Sequence, residues 1–114
     1  EDRLAQNFRR YKESAIGTSA TDIPNGSNFD SYDTIVGISL ANILGSTINV
    51  DVYIANGGTN FYLVKTAPIP SGGALQVLAG GAKIVVESGD RLYIKSDTAS
   101  SVDAWVSAVD AIST

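Results

Sequence analysis

Cysteine and histidine are both missing from this 114-residue chain. Without cysteine there is no disulfide framework and no thiolate metal site. Without histidine the commonest general base and the commonest metal ligand are gone, and with them every Ser-His or Cys-His nucleophile. Methionine is absent too, at position 1 as elsewhere, so the chain is expected to be processed, trimmed or drawn from a longer precursor. Charged residues make up only 18%, against 44% hydrophobic, a globular balance rather than a disordered one. No apolar run approaches the ~18 residues of a membrane helix, and no charged segment followed by an apolar stretch marks a signal peptide. No membrane partner is expected.

The charge present is unevenly placed. Residues 1–13 carry Arg3, Arg9, Arg10 and Lys12 against Glu1, Asp2 and Glu13, while the net charge of the chain is −4. A weakly basic segment therefore precedes an acidic body, and an acidic body argues against a nucleic-acid partner. Within 1–13, Leu4, Phe8 and Tyr11 recur at spacings of four and three. That spacing fits a short amphipathic helix, but so short a helix is marginal alone, and an extended arm is the favoured reading. The chain divides into an arm, 1–13, and one body, 14–114.

From Ser14 the hydrophobic period becomes two. Residues 15–18 read as a first short strand. The stretch from Asp22 to Ser27 contains Pro24, Asn25 and Gly26, turn chemistry that stops a ladder. In 34–42, Val36, Ile38 and Leu40 share a face. In 48–55, Ile48, Val50, Val52 and Ile54 do so, with Asp51 and Tyr53 opposite. Gly45-Ser46 between these runs reads as a hairpin loop. Asn56-Gly57-Gly58 turns the chain into a strand at 61–65, and Pro68 to Gly73 breaks it. Further short strands follow at 75–78, 83–87 and 91–95. A last one runs over 102–112 with Val102, Ala104, Val106 and Ala108 on one face. Asp110 interrupts that alternation, so the strand is expected to fray or bulge before it. About eight short strands at this spacing predict an all-β fold, an antiparallel sandwich of jelly-roll or immunoglobulin-like type.

Little here invites catalysis. Asp30 and Asp33 lie in an oxygen-rich loop, but the spacing does not match an EF-hand and no bidentate Glu closes it, so a solvated turn is favoured over a calcium site. Gly57-Gly58, Gly72-Gly73 and Gly80-Gly81 lack the Lys-Ser/Thr and the helix of a phosphate loop. Asp51 and Asp103 face outward, where a charge keeps a sheet soluble. The chain is expected to be no enzyme, with no catalytic, cofactor or metal residues. The aromatic residues say more. Strand alternation points Tyr53, Tyr93 and Trp105 outward. Three readings account for that: a second packed face or a covering loop or arm, a subunit interface, in which Trp and Tyr are enriched, or a platform for sugars.

The order of the motifs is itself informative. Residues 23–26 (Ile-Pro-Asn-Gly) lead to a long strand ending at Leu40-Ala-Asn-Ile43. The runs 48–54, 61–65, 68–73 and 86–94 follow, and Val102-Asp-Ala-Trp-Val-Ser107 closes the set. Over residues 15–112 this resembles the small β-sandwich structural proteins of tailed bacteriophages, especially those of marine and cyanobacterial phages. The resemblance implies a virion component, on the capsid surface or in the neck or tail, without enzymatic activity. It hands over no catalytic residues. Other virion proteins and further copies of the chain are the partners it implies. The residues themselves nominate Leu4, Phe8, Arg9, Arg10, Tyr11, Tyr53, Tyr93 and Trp105 as the assembly surface, the arm bridging to a neighbour. A sugar-binding module, with a glycan stacked on Trp105 and the tyrosines, is the rival from another class.

The period-two register has a direct consequence. Val52→Asp places an unpaired charge in the core and should abolish soluble expression. Asp51→Asn, one residue away, should be nearly silent in the same expression and melting assay. Similar outcomes for the two would mean that the register is shifted by one.

Overall fold

The computed structural model describes residues 5–23, 33–78, 83–87 and 89–112. Among them are nine strands and no helix: β1 (Ala5–Ile16), β2 (Thr21–Ile23), β3 (Asp33–Asn42), β4 (Ile48–Asn56), β5 (Thr59–Ile69), β6 (Ala74–Gln76), β7 (Ile84–Val86), β8 (Arg91–Ser96) and β9 (Val102–Ile112). The first sheet has the order β1-β9-β3-β6, with β7 also on β3, and the second the order β2-β8-β4-β5. Every pairing is antiparallel. With the short β7 set aside, the chain visits the two sheets in jelly-roll order rather than an immunoglobulin one. The all-β sandwich expected from the strand pattern is the observed fold.

The two inner faces meet in one core. The first sheet supplies Ile16, Ile35, Ile38, Leu40, Val86, Val102, Ala104, Val106 and Ala108, and the second Ile23, Ile48, Val50, Val52, Leu92 and Ile94, all buried. The alternation read in β4, β8 and β9 therefore holds, Val52 included.

Several local expectations do not. Residues 5–13 are neither a helix nor detached from the body. They continue into Ile16 as one strand and pair with β9 from Ala5↔Ile112 to Glu13↔Ala104. Strand β1 thus crosses the 13/14 boundary between arm and body. Asp22 and Ile23, read as the start of a turn, belong with Thr21 to a strand against β8, held by fully buried Ile23. Gly45-Ser46 is not a hairpin, because β3 and β4 lie in different sheets. It is a corner built on buried Asn42, whose Nδ2 donates to the Ser46 and Ile69 carbonyls while its Oδ1 accepts the Leu44 N–H. Val36 is the extra residue of a bulge between Ile35 and Gly37, so Ile35 takes the inward position instead. Strand β9 keeps its pairing through Asp110, opposite Asn7 and Asp33, rather than ending before it. Pro68 lies inside β5, which is tolerable because β5 is an edge strand whose missing N–H is not owed to a neighbour.

Two outward aspartates have a task beyond solubility. In β1 the register shifts by one between Glu13 and Ile16, so that Ser14 and Ala15 together oppose Asp103. In β5 it shifts between Val50 and Val52 of the partner strand, and Lys65 and Thr66 together oppose Asp51. At each bulge the second residue is left-handed without being glycine: Ala15 at φ 53° and Thr66 at φ 53°. Each carries an N–H that the ladder no longer takes. Asp103 Oδ1 accepts the Ala15 N–H at 2.9 Å, and Asp51 Oδ1 accepts the Thr66 N–H at 2.7 Å. A carboxylate facing a displaced amide in this way holds the bulge against slippage.

Asp51→Ala and Asp103→Ala should each cost about 1.5 kcal/mol in denaturant unfolding, the low end for a charge-assisted hydrogen bond because both contacts are exposed. Asn at either position keeps an acceptor and should cost clearly less. Equal loss for Ala and Asn would show that charge, not the bulge contact, is what matters.

Candidate functional site

Strand alternation sends the side chains that face away from the core onto two broad outer surfaces, and each carries aromatic residues. On the first sheet Trp105 stands in mid-strand on β9, between Lys12 of β1 and Ser39 of β3. It is 50% exposed. The Arg10 guanidinium lies over its ring, 5.2 Å from the centroid, a cation–π contact that covers part of the indole. A shallow groove beside it is lined by Lys12, Glu13, Ser14 and Asp103, and the bulge at Ser14-Ala15 shapes its wall.

The second sheet carries a row of tyrosines across three strands. Tyr93 of β8 opposes Tyr53 of β4, which opposes Tyr62 of β5. The Tyr53 and Tyr93 rings are stacked with centroids 5.4 Å apart, and Tyr53 and Tyr62 are tilted at 5.0 Å. The spacing follows from the distance between hydrogen-bonded strands. Lys65 Nζ closes the row, 4.4 Å from the Tyr62 ring centroid. Burial among these rings, then the neighbouring Tyr62, Tyr93 and Asp51 charges, pushes the Tyr53 phenol above its ordinary pKa. The rings therefore stand against one another, with Tyr62 the most exposed of the three.

The residues nominated from the sequence are divided by the fold. Tyr53 and Tyr93 share the second sheet, whereas Trp105 and Arg10 are on the outer face of the first. Arg9, opposite Ala108, is exposed on β1. Tyr11 does not belong to an outer surface: opposite inward-facing Val106, it is half-buried and packs on the core. Phe8 pairs with Val109 in β1, and Leu4 lies outside the described residues, as do Asp30 and the Gly80-Gly81 pair. Two large aromatic residues were missed, Phe61 and Tyr62, 57% and 43% exposed. Register shifts in β5 spoil its alternation, so neither face could be read there from periodicity. The turn held the missing signal. Gly57 and Gly58, both at positive φ, form a two-residue turn that sets Asn56 opposite Thr59, and counting back from it places Tyr53 opposite Tyr62.

A second groove lies where the ends of β4 and β8 meet, lined by Thr18, Asn49, Asp51, Thr66, Lys95 and Asp97. Its acidic members have internal partners. Asp97 accepts the Asn49 N–H at 3.1 Å, the Asn49 side-chain amide at 3.2 Å and the Thr98 hydroxyl at 2.8 Å. Chiefly through the Asn49 N–H, these bonds hold its pKa below the ordinary carboxylate value. Among the described residues no three His, Cys, Asp or Glu side chains converge as metal ligands would.

No family model matches the chain, and no curated protein matches it. Among solved structures, the fold is similar to a chain from Bacillus endospore appendages, described as a novel family of disulfide-linked pili. The TM-score is 0.55 at 18% identity, over 93% of this chain and 85% of that one. At that identity the likeness is one of fold.

The depressed Asp97 pKa sets a sign for acid sensitivity. A carboxylate with a lowered folded-state pKa stabilises above its unfolded value, near 3.9, and loses that contribution as pH falls through the folded value. Asp97→Ala should therefore lower the melting temperature at neutral pH. The gap from the parent should close on acidification below about pH 4. A gap independent of pH would mean that Asp97 acts through packing rather than charge.

Proposed function

We propose that this chain is a non-enzymatic structural subunit that works by protein–protein assembly, and that the assembly is a bacteriophage virion, at the capsid surface, neck or tail. The observation that carries the assembly reading is the half-exposed Trp105 at the middle of an outer sheet face, flanked by Arg10 and Lys12. Trp and Arg are enriched at protein interfaces, and a half-exposed indole in mid-sheet beside arginine suits a surface that a partner covers. The fold likeness to a pilus chain supports the same class of role, as does the resemblance of the motif order to phage sandwich proteins. Jelly rolls serve in both capsids and lectins, so the site and not the fold carries the distinction. Any cross-linking by disulfides is closed to this chain, which has no cysteine.

The sheet edges favour contact through faces. β2, β6 and β7 are three residues each. β5 is bent by its bulges and its proline, and β1 carries Arg9, Arg10 and Lys12 beside a bulge. Short, charged or bulged edges resist addition of a strand from a neighbour. A glycan reading has one observation in its favour, the polar groove of Lys12, Glu13, Ser14 and Asp103 beside Trp105. The tyrosine row helps it less, because Tyr53 and Tyr93 stack on each other and Lys65 lies over Tyr62.

Sedimentation of the full chain over a range of concentrations, with electron microscopy of the product, tests assembly. The parent chain should associate. Trp105→Ala and Arg10→Glu should remain monomeric while melting within a few degrees of the parent. A parent chain that stays monomeric throughout, or variants that assemble like it, would defeat the reading. Sugar binding on a glycan array that Trp105→Ala abolishes would favour the lectin-like alternative. Detection of the chain by mass spectrometry in purified phage particles tests the virion assignment separately.

A further inference from the structure

The tyrosine row has a chemical property that its packing does not use. Cross-strand aromatic pairs stabilise a sheet through ring contact, and phenylalanine would supply that contact equally well. Tyrosine adds a phenol, which a one-electron oxidant converts to a phenoxyl radical. Two phenoxyl radicals couple when their rings already touch. Tyr53 has two such partners, Tyr62 at 5.0 Å and Tyr93 at 5.4 Å, both directly opposite it in the sheet register. Tyr62 is open to an external oxidant. Tyr11, by contrast, packs against the core on the other sheet.

The geometry points to Tyr53, with Tyr62 or Tyr93, as a site of oxidative carbon–carbon cross-linking between strands. The oxidant is a haem peroxidase with hydrogen peroxide, supplied from outside the chain. Each phenol gives up one electron to the oxidant and one proton to water. The two radicals then join through the ring carbons ortho to oxygen. Loss of the ortho hydrogens as protons, with reprotonation of the two oxygens, restores both phenols. In balance, two tyrosines and one peroxide give one dityrosine and two waters. The product ties β4 covalently to β5 or to β8. For a chain without cysteine this is a route to covalent reinforcement that needs no thiol. The inference rests on ring geometry alone and stands whether or not the assembly reading does.

The rows of the sheet also make the reaction readable. Lys12 and Lys65 bound one tryptic peptide holding Tyr32, Tyr53 and Tyr62, within which fragmentation identifies the joined rings, while Arg91 and Lys95 bound another holding Tyr93. Dilute full-length chain is treated with a haem peroxidase and peroxide and then mapped by mass spectrometry. Expected are monomeric chains with blue dityrosine fluorescence and a mass lower by two hydrogen atoms. The bond should be found inside the first peptide or joining it to the second. Tyr53→Phe should lose the intrachain product almost entirely, Tyr62→Phe should retain only the bond to Tyr93, and Tyr11→Phe should behave as the parent. The cross-linked parent should melt at a higher temperature than the untreated chain. Intrachain coupling that persists in Tyr53→Phe, or coupling found only between chains at high dilution, would overturn the proposal. A circular dichroism spectrum of Tyr53→Phe matching the parent guards against loss through misfolding.

Discussion

The sandwich depends on a single apolar layer, the facing sets of Ile, Val and Leu that β3 and β9 present to β4 and β8. Burial of these side chains is the main favourable term available to a chain that has no disulfide to restrict its unfolded state. It also imposes the strictest constraint, because a slip of one residue in any central strand would exchange its buried face for its solvated one. The remaining features of the fold keep that register or follow from it.

The bulges show how the register is kept where strands must bend. An inserted residue lets an edge strand twist away without displacing the inward set on either side of it. The cost is an amide turned out of the ladder at a left-handed alanine or threonine, a conformation that bulky and β-branched residues rarely adopt. Asp103 and Asp51 meet those amides. The two devices occupy β1 and β5, an outer strand of each sheet, and so serve the edge as well as the core. A bent, charged edge does not invite another strand, which leaves the flat outer faces as the surfaces through which the molecule can meet others.

Those faces differ in character. On the first sheet the indole of Trp105 is partly covered by Arg10 and lies beside a polar groove. On the second, three tyrosine rings stand in a row that Lys65 closes. One suits a contact that buries an aromatic surface next to positive charge. The other presents tyrosine rings already in contact with one another. The separation follows from alternation along strands in opposite sheets, so a substitution on one face leaves the other untouched.

Strand alternation in the sequence was enough to establish the fold class, the inward set of β4, β8 and β9, and the outward direction of Tyr53, Tyr93 and Trp105, since each depends only on the two-residue repeat of a strand. The two-glycine turn at 57–58 held the pairing of Tyr53 with Tyr62 as well, had the hairpin been counted back from it. Three things were decided by tertiary structure alone. Residues 5–13 became part of a sheet because β9, about a hundred positions away, offered an open edge. Tyr11 turned inward because its partner there is Val106. Asp51 and Asp103 acquired their amides because bulges formed on neighbouring strands. In each case the deciding partner is distant in sequence, and local periodicity holds no information about which strand will lie alongside.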